Sequence, residues 1–129
     1  MAAQTWMAQL RIVEGEASEE SPEIAFVERY NAQGRKVGLY ILSEPIRSGS
    51  ERFIGDLVTR IGEDFLIAEG SVTGILQRAL RDRNTELRDW NRRNLPKDQA
   101  SYGISCLTLQ DQNLFLCQAG PSLTYVRHD

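Results

Sequence analysis

Ser101-Tyr-Gly-Ile-Ser-Cys-Leu-Thr-Leu-Gln110 is followed by a polar tip, Asp111-Gln112-Asn113, and then by Leu114-Phe-Leu-Cys-Gln-Ala-Gly-Pro-Ser-Leu-Thr-Tyr-Val126. Two β-rich runs flanking a short polar tip predict a β-hairpin, here ending in a Gly120-Pro-Ser-Leu-Thr-Tyr-Val126 corner. With Asp111 and Gln112 as the two loop residues, Cys106 falls opposite Cys117, Leu107 opposite Leu116 and Leu109 opposite Leu114. Both faces of the hairpin are apolar, so it is expected to lie between a second sheet on one side and helices on the other. Cys106 and Cys117 form neither a Cys-x-x-Cys pair nor a metal spacing. Their register makes a cross-strand disulfide geometrically conceivable, and in a reducing compartment they read as two small core thiols.

Upstream of the hairpin, the apolar period changes from two to between three and four. Val72, Ile75, Leu76, Ala79, Leu80, Leu87 and Trp90 share one helical face, with Ser71 as N-cap and an end near Asn94, before Pro96. Gly74 in the first turns marks close packing or a frayed start, at about 1 kcal/mol relative to alanine. Phe53, Ile54, Leu57, Val58, Ile61 and Phe65 define an earlier amphipathic helix, capped by Ser48 or Ser50. Ile24 to Tyr30 and Val37 to Leu42 read as strands joined by Asn31-Ala-Gln-Gly34, and Thr5 to Val13 is a weaker apolar run. Glu14 to Pro22, acidic and turn-rich, reads as a solvated loop. The predicted class is α+β, in the order β-β-β-α-α-β-β.

Composition narrows the classes of function. The 129 residues, 41% apolar and 26% charged, suit one domain spanning 1–129. A net charge of -3, from 15 basic and 18 acidic residues, offers no global attraction to nucleic acid or anionic membrane. No N-terminal signal pattern and no run near the roughly 18 apolar residues of a spanning helix occur, so the expected location is cytoplasmic.

The hairpin and its corner resemble the hairpin of the metal-dependent (PPM, or type 2C) protein phosphatases, whose second strand ends in Gly-Asp-Ser-Arg-Ala-Tyr-Leu. Pro121 stands where that family carries the aspartate. Leu39-Tyr-Ile-Leu-Ser-Glu-Pro45 is similar to the family's Leu-Phe-Val-Val-Ala-Asp-Gly, with Glu44 at the metal-binding aspartate and Pro45 at the glycine. The helix pair from Ser50 to Asn94 is the third point of likeness. The resemblance implies a partial α-β-β-α sandwich, corresponding to about the first half of the family's domain.

In that family two divalent cations, held by aspartates and a glycine carbonyl, activate a water that attacks a phosphoserine or phosphothreonine. Glu44 is the one residue here onto which a metal role carries over, for Mn²⁺ or Mg²⁺. Glu19-Glu20 is only a loose counterpart of the family's early acidic motif and carries no role, and the family's later aspartates would fall beyond Asp129. The resemblance therefore implies a non-catalytic PPM phosphatase-like module acting in protein binding or regulation, with no cofactor. The alternative is a metal-dependent serine/threonine phosphatase fragment with an altered ligand set. A third reading is an unrelated small α+β domain whose hairpin imitates the motif.

Other candidates have plainer readings. His128 is the only histidine, next to the C-terminus, and no Ser-His-Asp or Cys-His constellation is assembled. Arg78, Arg81, Arg83, Arg88, Arg92 and Arg93 interleave with Asp82, Glu86 and Asp89, which reads as a solvated, paired helix face. Trp6 and Trp90 read as core or edge packing. The expected partner is a protein or a second copy meeting an exposed sheet edge, in a homodimer that covers Cys106 to Thr108 and Leu114 to Leu116.

Overall fold

The computed structural model describes residues 5 to 127. In chain order they form β1 (Arg11–Val13), β2 (Glu16–Ser18), β3 (Ile24–Tyr30), β4 (Lys36–Pro45), α1 (Glu51–Ile67), α2 (Val72–Arg93), a 3-10 turn at Pro96–Asp98, β5 (Tyr102–Gln110) and β6 (Asn113–Ala119). The fold is α+β. β3-β4-β5-β6 make a four-stranded antiparallel sheet, and β1-β2 make a separate two-stranded one. His128 lies outside the described residues.

The β5–β6 hairpin adopts the register read from its side-chain pattern, with Cys106 opposite Cys117 and Leu107 opposite Leu116. The turn is tight because Asp111 takes a left-handed backbone, φ 56, which Asp tolerates better than most residues. β4 and β5, the two central strands, pair along nine residues, from Val37↔Gln110 to Pro45↔Tyr102. Period two then sorts the sheet. Val37, Leu39, Ile41, Ile104 and Cys106 turn to one face and are buried there.

That face is covered by the helices. Ile54, Leu57, Val58, Ile61 and Phe65 of α1 and Val72, Ile75, Leu76 and Leu80 of α2 complete a single core. α1 sits close enough to β3 that a Cβ on Gly62 would come within 3.2 Å of Val27 Cγ1, so glycine fits where alanine would press on the strand. At the far end of α1, the Arg29 guanidinium donates to the carbonyls of Phe65 and Ala68, which the helix leaves without partners. Ser71 caps α2 by accepting from Gly74 N at 3.2 Å, and a Cβ on Gly74 would lie 3.0 Å from that hydroxyl. Ser50 stands at the N-cap of α1, yet its buried hydroxyl accepts from Ser101 N at 2.9 Å instead, tying the start of α1 to the start of β5.

Three expectations are corrected. Glu14 to Pro22 is not wholly loop: Glu14 and Gly15 both take positive φ, 52 and 86, and fold Glu16–Ser18 back onto Arg11–Val13. Such a turn matches strand twist, so pairing forms with little burial to announce it. Cys106 and Thr108 do not face a partner, because they are buried beneath the helices, while Leu107, Leu109, Leu114 and Leu116 turn the other way. Trp6 is 89% exposed and packs in no core. Among the described residues the one further sheet is the two-stranded β1-β2 pair.

Candidate functional site

Three places on the molecule bring functional groups together. The first is the end of the sheet where β4 stops. Glu44 is exposed there, opposite Gly103 of β5, and Pro45 is opposite Tyr102. The Gly120-Pro121-Ser122 corner folds back onto the same point. Gly120 takes φ 78, and a Cβ there would meet Tyr102 O at 2.9 Å and Gly103 Cα at 3.0 Å. A Cβ on Gly103 would in turn meet the Ser122 side chain, at 2.4 Å from its Oγ, so Gly120 is required by close approach of backbone and Gly103 leaves room for the Ser122 hydroxyl.

The sheet thus gathers Glu44 and Pro121, distant in sequence, around Gly103. Ser43, the neighbour of Glu44, donates a buried hydrogen bond to Gly103 O at 3.0 Å and stiffens this end. Divalent cations of the Mg²⁺ class need several oxygen donors converging on one point. Among the described residues no three His, Cys, Asp or Glu side chains cluster in that way. The donors in view do not fit a binuclear centre.

The second place is a cleft of about 200 Å³ between α1 and α2, walled by Phe53, Leu57, Arg60, Arg83, Trp90 and Tyr102. Phe53 and Trp90 meet edge to face, with centroids 5.2 Å apart, so Trp90 does pack at an edge. Arg60 grips Glu86 through two bonds of 2.9 Å. Arg83 departs from the solvated face expected for it: it is buried, with Nη2 lying 3.6 Å from Asp64 and 3.4 Å from Glu86. Its Nε and Nη1 are buried with no acceptor among the described residues. The signal was present in the spacing, since Arg83 continues the stripe of Leu76, Ala79 and Leu80 at seven, four and three residues. Burial, and after it the charge of Glu86, push the Tyr102 phenol up, against the opposing pull of Arg83.

The third place is the open face of the sheet. Phe26, Tyr40, Leu42, Leu107, Leu109, Leu114 and Leu116 share it by period and register. Phe26 and Tyr40 stack with centroids 4.6 Å apart, and Phe26, Leu42, Leu114 and Leu116 are each about two-fifths exposed, at 38%, 43%, 43% and 41%. The segment after β6 covers one end of this face, where Gln118 Nε2 donates to Ser105 Oγ at 3.1 Å and Thr124 Oγ1 at 2.7 Å, and the N-terminal segment reaches it at Tyr40, whose hydroxyl donates to Thr5 Oγ1 at 3.0 Å. Charges ring the opposite end in self-satisfied pairs, Lys36 with Glu28 at 2.7 Å and Arg35 with Asp111. The face is thus apolar at its centre and polar at its rim.

No family model, curated protein or solved structure matches the chain. Among the described residues no helix is long and apolar enough to cross a membrane.

Proposed function

We propose that this chain is a non-catalytic PPM phosphatase-like module that acts in protein binding or regulation, its α+β layers being part of an α-β-β-α sandwich. The observation that carries the binding role is the partly exposed apolar face of the sheet, from Phe26 and Leu42 across to Leu114 and Leu116. A four-stranded sheet with helices on one side and leucines on the other has a second surface to bury. The replacement of the family's acidic residues supports the loss of chemistry: Glu44 is exposed and joins no cluster of His, Cys, Asp or Glu among the described residues, and Pro121 offers only a carbonyl.

Isothermal titration of Mn²⁺ and Mg²⁺ into the purified chain, beside an aryl-phosphate assay and a Glu44→Ala control, tests this reading. The expected result is no saturable binding at millimolar metal and no metal-dependent turnover. Binding that Glu44→Ala abolishes, together with turnover, would overturn it in favour of a metal-dependent phosphatase with an altered ligand set. The neighbourhood of Glu44 and the Gly120-Pro121 corner around Gly103 is the feature such a site would use.

A further inference from the structure

β6 is an edge strand of an unusual kind. The two-residue loop makes Gln110–Asn113 the first hydrogen-bonded pair of the hairpin, and antiparallel bonding then alternates. Phe115, Cys117 and Ala119 therefore turn their backbone groups toward β5, and Leu114, Leu116 and Gln118 turn theirs outward. The same alternation holds across the sheet, where Ser43 N reaches Glu23 O at 2.8 Å on the β3 side. No other strand among the described residues lies against the outward row.

Proteins blunt such edges with charges, prolines or bulges. β6, Asn-Leu-Phe-Leu-Cys-Gln-Ala, has no charge and no proline. The opposite edge strand, β3, carries Glu28 and Arg29, and an Arg11–Glu23 bridge of 2.9 Å draws the β1–β2 hairpin toward its start. The β6 edge is also open on the helix side, where Gly74, Leu76, Phe115 and Cys117 line a groove of about 350 Å³.

We infer that β6 is a self-pairing edge, at which a second copy of this chain adds its own β6 antiparallel about a two-fold axis at Leu116. Among the antiparallel registers, this one alone engages all three outward residues with one another, Leu116 with Leu116 of the second copy and Leu114 with Gln118. A shift of the axis to Phe115 would leave Gln118 against the hairpin loop, and a shift to Cys117 would set Leu114 against Gly120, where φ 78 breaks the strand. Pairing about that axis sets Leu116 against itself and Leu114 against Gln118, and because β6 carries no charge a second copy meets no like charge there. The open faces of the two copies then run together into one apolar surface. The inference deepens the binding role proposed above by naming a partner, and rests on it only for the use of that merged face.

Sedimentation equilibrium of the full chain, read beside amide hydrogen exchange, tests the pairing. A concentration-dependent dimer is expected, with the Leu114, Leu116 and Gln118 amides, which no other strand among the described residues pairs, becoming protected as it forms. Leu116→Pro removes an outward N–H without touching the β5–β6 ladder, and should raise the dimer dissociation constant at least about tenfold. Leu116→Cys in a Cys117→Ser background should cross-link to itself on oxidation, because directly opposed strand positions lie about 5.5 Å apart at Cα. A monomer at every concentration, or a dimer in which those three amides stay exchangeable, would overturn the inference. The metal titration is unaffected by either result, so the two proposals fail separately.

Discussion

Cys106 shows how much one side chain's surroundings dictate. Burial, with Cys117 a lesser cause, pushes its thiol from 9.0 up to about 12, and burial also raises that of Cys117. Between those values the folded chain keeps a proton that the unfolded chain releases. Stability is therefore intact below pH 9.0 and falls as pH rises toward 12. Urea midpoints should decline across this range, and Cys106→Ala, though less stable throughout, should show a shallower decline; equal slopes would remove the thiol as the cause. At neutral pH, iodoacetamide should label the half-buried Cys117 first, and Cys106 only as fast as the chain opens. The opposition of these two cysteines was legible from hairpin arithmetic. Their unequal burial was not, because it depends on α1 and α2 covering β5 more completely than the edge strand.

At the scale of elements, α2 is the informative case. Its N-cap and apolar stripe could be read from Ser71 and the spacing of Val72 to Leu80, whereas Arg83 looked like one more solvated cation. It is buried because α2 is long enough to lay its next turn against α1, where Asp64 approaches from the neighbouring helix. Two of its nitrogens have no acceptor among the described residues, and a buried donor without a partner costs about 1–3 kcal/mol. Glu86 keeps its bidentate Arg60 if Arg83 is removed. Arg83→Met, which keeps the apolar stem, should therefore leave the unfolding free energy unchanged or raise it by about 1–2 kcal/mol. A loss larger than about 2 kcal/mol in urea unfolding would show that the Asp64 and Glu86 contacts outweigh the unpaired donors.

For the molecule as a whole, sidedness is the controlling property. Ile41 and Leu42 are neighbours in β4, yet one is 1% exposed under the helices and the other 43% exposed on the open face. Ile41→Ala should cost about 2–5 kcal/mol, while Leu42→Lys should change stability by less than about 1 kcal/mol. Chemical denaturation of the two variants measures this directly, and comparable losses would mean that the open face is covered in solution by something beyond the described residues. The same contrast runs along single strands, where residues buried in the core alternate with residues left partly exposed.

The amino-acid sequence by itself determined all the elements but the short strand Glu16–Ser18 and the 3-10 turn at Pro96–Asp98: the hairpin register through period-two pairing about Asp111-Gln112, the two helices through their apolar stripes, and the α+β class through their order. Those features are local, and the chain carries their period and their stop signals within a few residues. Only the tertiary structure decided which face of the sheet the helices would take, that the other would stay open, and that Glu44, Gly103 and Pro121 would meet at one end. It also decided that Arg83 would be enclosed and that β6 would be left at an edge. These outcomes arise from contacts between segments far apart in the chain, where packing, rather than any residue's own preference, selects the neighbour.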